Sequence, residues 1–406
     1  MNGGIETRAA KRLRLMVHTT LLPKEIWALN ISSFLERKEW VTVAGINKEI
    51  NNAMEDFLPP WPSPLNVRNG SDFIAFSLDE EWMALGGQNG TIRIYSRRTG
   101  YKNTVLVGSH VKFVHFSPCN PNLILSNSMH RCALWDLSTN PTTQQIINIP
   151  NGSRLHFALN AEFSLDGMYI AVRSHDLNTD YYFCSVWSVE HRTCVWSWRI
   201  PSAYCTPVSF RQSDNGSYRL AIPRSYGRAI RIWDLDLASR TGPYNSISDS
   251  GPAFKDITLQ GPEDINWIKG CNLKGRDIAY RISGRYECPR KPKLQFWSND
   301  GSAYSNLDEL LCELEVQSSA ACAIANGILF DWKDNKIDIW NLEDSTRVVE
   351  GIVETTNKIT SLRVLPKTKI LVTMEISGFI RFFPFNRLGL PKAKIVATPT
   401  SCHLLG

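Results

Sequence analysis

The chain lacks a run of apolar residues long enough to form a membrane helix, and it lacks a leader pattern of the secretory type. Its ten cysteines are scattered with no pair at C-x-x-C spacing, so neither a zinc site nor a dithiol redox motif is expected. G-x-S-x-G, G-x-x-x-x-G-K and H-E-x-x-H are missing as well. The histidines are dispersed, and His115 and His156 stand among apolar neighbours, where a structural role is the simpler expectation. The acidic run Asp79-Glu80-Glu81 falls in a turn and reads as solvated. These absences give little support to a catalytic, metal or cofactor reading. Cys132, Cys184, Cys194 and Cys322 lie inside predicted strands as small buried hydrophobes. A reducing compartment, cytoplasm or nucleus, is therefore expected.

What the chain does have is a repeat. Seven segments end in an aromatic residue flanked by strand formers, at Tyr95, Trp135, Trp187, Trp233, Trp297, Trp340 and Phe383. By subtraction the spacings are 40, 52, 46, 64, 43 and 43 residues, close to the period of a four-stranded unit once loop insertions are allowed. The first unit reads Phe73–Phe76, a Ser77-Leu-Asp turn, Trp82–Leu85, a Gly86–Gly90 turn and Thr91–Tyr95. Val111–Phe116, Leu123–Leu125 and Cys132–Trp135 repeat it, and Phe163–Gly167 with Tyr169–Val172 begin it a third time. Fourth strands are expected at 103–107, 145–148, 194–198 and 347–349.

The region from about 70 to 400 resembles WD-repeat propellers. The likeness rests on the Trp-Asp pairs at 135–136 and 233–234, the Phe-Ser-Pro and Phe-Ser-Leu-Asp turns, and Gly108-Ser109-His110. The family's turn aspartate survives only as Asp334; Asn89, Met129, Gly227 and Ser377 stand at the comparable positions. The resemblance implies a mainly β chain whose seven-bladed β-propeller spans 65–406, with Leu65–Val67 or Lys394–Ala397 supplying the strand that closes the ring.

The first sixty residues follow helical spacing instead. Leu22, Ile26 and Leu29 form one stripe, Trp27, Ile31, Phe34 and Leu35 a second, and Trp40, Val43, Ala44, Ile46 and Ile50 continue it. So small a segment cannot bury this surface alone, so it docks on the rest of the chain or on a partner. Pro59–Pro64 reads as a stiff spacer. The partition expected is a flexible terminus (1–20), a helical module (21–58), the Pro-rich linker (59–64) and the repeats.

Leu22-Pro23-x-Glu25-Ile26, Ile31-x-Ser33-Phe34-Leu35, Glu39-Trp40 and Val43 resemble the F-box, although 45–50 depart from its usual ending. The resemblance implies binding of a Skp-type adaptor, and through it a cullin complex, by Leu22, Pro23, Ile26, Ile31, Phe34, Leu35, Trp40 and Val43. With a propeller following, it implies a non-catalytic substrate receptor of a ubiquitin ligase.

Charge hints at what the repeats hold. Lys269 to Lys293 carries +6, equal to the formal net charge of the whole chain. Arg285, Arg290 and Lys291 are expected in the loop between the middle strands of the fifth unit, with Arg173 and His175, then Arg224 and Arg228, in the equivalent loops of units three and four. Arginine forks at one face suit an acidic or phosphorylated protein substrate. The same residues are compatible with a solvated blade edge. A WD-repeat scaffold without a ligase role is the second reading. A nucleic-acid binder stacking bases on Trp267, Tyr280 and Tyr286 is the third, disfavoured by a charge of only +6 over 406 residues.

Overall fold

Strand formation follows side-chain alternation. In Thr91–Ser96, Ile92, Ile94 and Ser96 are buried while the residues between them are partly exposed. Trp82–Gly87 and Ile370–Glu375 are instead buried at nearly every position, as strands covered on both faces must be. Turns between strands are built by side chains the sequence supplies at fixed offsets. Ser77 and Ser164 each accept the backbone N–H five residues on (Trp82 and Tyr169, 2.9 Å in both cases) while donating to Asp79 and Asp166. This is the local chemistry of the Phe-Ser-Leu-Asp turns.

The computed structural model describes Trp61, the strands and adjoining turns between residues 65 and 385, and a short strand at His403–Leu404. Residues 1–60 and several connections, among them 148–155, 201–208, 238–251, 259–267, 284–292, 300–308 and 386–402, lie outside the described residues. The described part is mainly β, with no α-helix among the described residues.

Strand β1 (Leu65–Asn66) comes first in the chain and joins the last sheet. A first sheet follows as β2 (Ser71–Phe76), β3 (Trp82–Gly87), β4 (Thr91–Ser96) and β5 (Gly100–Leu106). The second is β6 (Val111–Phe116), β7 (Leu123–Ser128), β8 (Cys132–Asp136) and β9 (Thr143–Ile147); the third is β10 (His156–Phe163), β11 (Tyr169–Asp176), β12 (Tyr181–Ser188) and β13 (Cys194–Ile200). Next come β14 (Ser209–Gln212), β15 (Tyr218–Pro223), β16 (Ala229–Leu235) and β17 (Phe254–Thr258), then β18 (Ile268–Leu273), β19 (Arg276–Ser283), β20 (Lys293–Asn299) and β21 (Glu309–Glu315). The sixth sheet is β22 (Cys322–Ala325), β23 (Ile328–Lys333), β24 (Lys336–Asn341) and β25 (Thr346–Val349); the seventh is β26 (Ile359–Leu365), β27 (Ile370–Glu375) and β28 (Phe379–Pro384). β29 (His403–Leu404) pairs with β22.

Each sheet is an antiparallel meander in sequence order, and the seven aromatic positions all fall on third strands. β1 completes the seventh sheet by pairing Leu65 with Ile380. Of the two segments expected to do this, Leu65–Val67 is the one used, and Val67 continues the ladder by donating to the Gly378 carbonyl at 2.9 Å. Gly378 has φ +82°, and a Cβ there would come within 2.5 Å of the Val67 oxygen, so glycine is required for this closure. Gly86 and Gly87, expected in a turn, extend β3 instead. A Cβ at Gly86 would meet Val111 Cγ1 at 2.7 Å, so its absence lets the second sheet approach.

The core is divided into layers between neighbouring sheets. Ile92, Ile94 and Val105 meet Val111, Val114 and Trp135 between the first and second, and Phe113 and Leu134 meet Phe163 and Trp187 between the second and third. Trp196 and Trp198 meet Leu220, Ile222 and Trp233 between the third and fourth, and Val372 and Ile380 meet Ile74 and Met83 between the seventh and first. First strands also neighbour one another: β2 lies beside both β6 and β26, and β26 beside β22. Cys132, Cys184 and Cys194 are buried free thiols in these layers, and burial pushes the Cys132 and Cys194 thiols up to about 12.

Candidate binding surface

The antiparallel meander gives each sheet two ends, or rims. Turns joining first to second strands (Ser77–Glu81, Ser117–Asn122, Ser164–Met168) lie on one, and turns joining second to third strands (Gln88–Gly90, Leu177–Asp180, Ile376–Gly378) on the other. Since β1 runs antiparallel to β28, its N-terminal end faces the first kind of rim. Trp61 is seated there. Its ring stacks on Phe382 at 5.7 Å and meets Phe76 edge-on at 5.8 Å, and it is buried in the layer between the seventh and first sheets. The proposed adaptor-binding residues Leu22, Pro23, Ile26, Ile31, Phe34, Leu35, Trp40 and Val43 lie outside the described residues.

The same rim overturns the expectation that Asp79-Glu80-Glu81 is solvated. Glu80 has φ 61° and is only 2% exposed, because the turn folds its carboxylate back over the seventh sheet. There it accepts from the backbone N–H groups of Lys367 (2.7 Å) and Thr368 (3.0 Å) and from the Thr368 hydroxyl, with Arg97 Nη1 3.9 Å away. Burial raises the Glu80 carboxyl and lowers Arg97 to about 10. Glu81 accepts from Ser96 Oγ at 2.7 Å and pairs with Arg98 at 3.3 Å.

On the other rim Arg173 requires correction. It is not a loop residue but lies within β11 at 0% exposure, paired with Cys184 and with its guanidinium 5.4 Å from the Tyr182 ring. β11 and β12 run eight residues each, two longer than β3 and β4, so the turn begins only at Leu177. Arg173 is thereby drawn into the face that Ala171, Cys184 and Tyr182 turn to the fourth sheet. A residue with no exposed surface cannot touch a substrate directly. His175, at the end of β11, does approach the rim: it stacks on Tyr182 at 4.3 Å and bonds Asp180 Oδ1 at 2.8 Å. Arg224 and Arg228, between β15 and β16, and Arg285, Arg290 and Lys291, between β19 and β20, lie outside the described residues.

The rim also holds residues that the motif reading missed. Arg199, exposed near the end of β13, lays its guanidinium 3.1 Å from the centre of the Tyr181 ring. Tyr181 is 41% exposed and Leu177, beside it in the turn, 51%. The Asp176 carboxylate fixes this turn by accepting from Asn178 N–H and Thr179 Oγ1, both at 3.0 Å. One signal was available in the sequence: a single charge interrupts the otherwise uncharged strand Cys194–Ile200 next to its end. Arg199 and Tyr181 are 18 positions apart by subtraction, and only the pairing of β12 with β13 brings them together. Searched against known proteins, the chain matches no family model, and no curated protein is similar to it in sequence.

Proposed function

We propose that the seven sheets are the blades of a seven-bladed WD-repeat-like β-propeller closed by β1, preceded by a small helical F-box-like module. On this reading the chain is the substrate-recognition subunit of a Skp–cullin–F-box ubiquitin ligase in the cytoplasm or nucleus. The module binds the adaptor, the rim away from Trp61 binds the substrate, and ubiquitin transfer is done by other subunits. The observation that carries it is the succession of seven antiparallel meanders whose last member borrows its fourth strand from the N-terminal side. Trp61, the first described residue after the F-box-like sequence, packs on Phe382 at one rim, which supports assigning the opposite rim to a second protein. Arg224, Arg228, Arg285, Arg290 and Lys291 remain the basic residues proposed to meet an acidic or phosphorylated segment there.

Affinity purification of the full chain, probed for a Skp-type adaptor and a cullin, tests this reading. Both proteins should be recovered with the wild type. Leu22→Ala with Pro23→Ala should lower adaptor recovery by about tenfold or more while the sheets remain folded, because each buried apolar contact is worth on the order of 1.5 to 3 kcal/mol. A wild-type chain that recovers neither protein would instead favour a WD-repeat scaffold without a ligase role.

A further inference from the structure

We infer that the tip of the β11–β12 hairpin, with Arg199 of β13, is a contact site for a peptide segment that places an oxyanion beside an apolar side chain. The inference rests on the proposed use of this rim for a protein substrate, and it names the chemistry recognised there. Three features converge on the tip. Leu177 and Tyr181 are large apolar groups left 51% and 41% exposed. Arg199 is exposed and has no carboxylate partner among the described residues, so its N–H groups are open to an incoming acceptor. And the frame beneath them is set before any ligand arrives: Asp176 holds the turn, His175 ties Asp180 back to the strand end, and the Tyr181 ring packs against the guanidinium at 3.1 Å.

Each feature selects for part of the partner. A planar guanidinium offers paired donors to a carboxylate or phosphoryl group, and such charged bonds outweigh neutral ones. Stacking on Tyr181 removes side-chain freedom that a lysine or an unbraced arginine would lose on binding. Leu177 and the uncovered part of Tyr181 offer two exposed apolar groups to an aliphatic or aromatic side chain of the partner. The third sheet thus supplies to this rim not the buried Arg173 but Arg199.

The test uses the full chain on an array of synthetic peptides that pair Glu, Asp or phosphoserine with a neighbouring Leu or Phe. Matched peptides carry Ser or Lys at the acidic position, and a single-stranded oligonucleotide is included as a separate probe. The wild type should retain acidic–apolar peptides, and the Glu and phosphoserine arms tell carboxylate from phosphoryl preference. Arg199→Glu should lower retention by about tenfold or more, and Arg199→Lys by less. Tyr181→Phe, which keeps the ring, should bind as wild type does, whereas Tyr181→Ala should not. Both positions of substitution are exposed, and unchanged thermal unfolding of each variant confirms that the frame is intact. Equal retention by wild type and Arg199→Glu overturns the inference, as does absence of peptide binding by the wild type. Retention of the oligonucleotide alone, lost in Arg199→Glu, overturns it in favour of nucleic acid. Peptide capture is scored independently of adaptor recovery, so its failure is distinguishable from failure of the ligase reading.

Discussion

The layer between the seventh and first sheets and the layer between the third and fourth do the same job with different chemistry. The latter is an aromatic cluster: Trp198 lies 5.8 Å from Trp196 and 5.7 Å from Trp233, backed by Leu220 and Ile222, with a bond from Tyr218 Oη to Asp166 at its edge. The former also has an apolar centre, but directional bonds cross it. Glu80 takes two backbone N–H groups of the seventh sheet's turn, Arg363 Nε donates to the Ile74 carbonyl at 2.8 Å, and Trp61 is inserted from the N-terminal side. These bonds join residues separated by 287 to 289 positions. Consecutive sheets are joined by short stretches of chain, so apolar burial does most of the holding. Bonds beside it include Tyr218 to Asp166 and Asn127 Nδ2 to the Ala158 carbonyl at 2.7 Å. Two sheets from opposite ends of the repeats must find one register out of many, and bonds with defined geometry select it.

This comparison breaks first at Trp61. Trp61→Ala removes the ring wedged between Phe76 and Phe382 and should cost about 3 to 5 kcal/mol, read as a fall in the denaturant midpoint. A loss below about 1 kcal/mol would mean that the layer closes without it. Glu80→Ala should cost on the order of 3 kcal/mol, because two backbone N–H groups and the buried Arg97 lose their acceptor.

Titration sharpens the same point. Burial is the main influence on Glu80, and it holds the carboxyl above its ordinary 4.5 despite Thr368, Lys367 and Arg97. Folding therefore favours the protonated form. This group's contribution is complete below pH 4.5 and is lost as pH rises through the elevated folded value. Glu80→Gln, which does not titrate, should gain in stability relative to wild type over that rise, measured by urea unfolding at a series of pH values. A constant difference would remove the buried carboxyl from the account.

The smallest effect belongs to a layer between consecutive sheets. Trp135 Nε1 donates to Ser126 Oγ at 2.8 Å, and Ser126→Ala should cost about 1 kcal/mol without altering the fold. A calorimetric change as large as that of Trp61→Ala would erase the distinction between the two kinds of layer.

Much of the β architecture was legible because its signals are local. Turn formers at Ser77-Leu-Asp and Phe163–Gly167 and the alternation of Thr91–Tyr95 act within a few residues, and the expected strands appear where those signals place them. The candidate rim was far less legible. Arg173 and Glu80 look like surface residues in any window around them, yet an eight-residue β11 carries one inward and a left-handed turn residue buries the other. Arg199 gives almost no local sign of pairing with Tyr181.

The sequence by itself determined the period of the repeat, the order of strands within each unit and the placement of one aromatic on each third strand. Those properties follow from side-chain alternation and turn chemistry, which neighbouring residues settle among themselves. The tertiary structure alone decided that Leu65–Asn66 completes the seventh sheet, that Trp61 and Glu80 are buried between the seventh and first sheets, and that Arg199 rather than Arg173 reaches the rim. Each of those outcomes depends on which distant segments come into register, and that is a property of packing and not of any one segment.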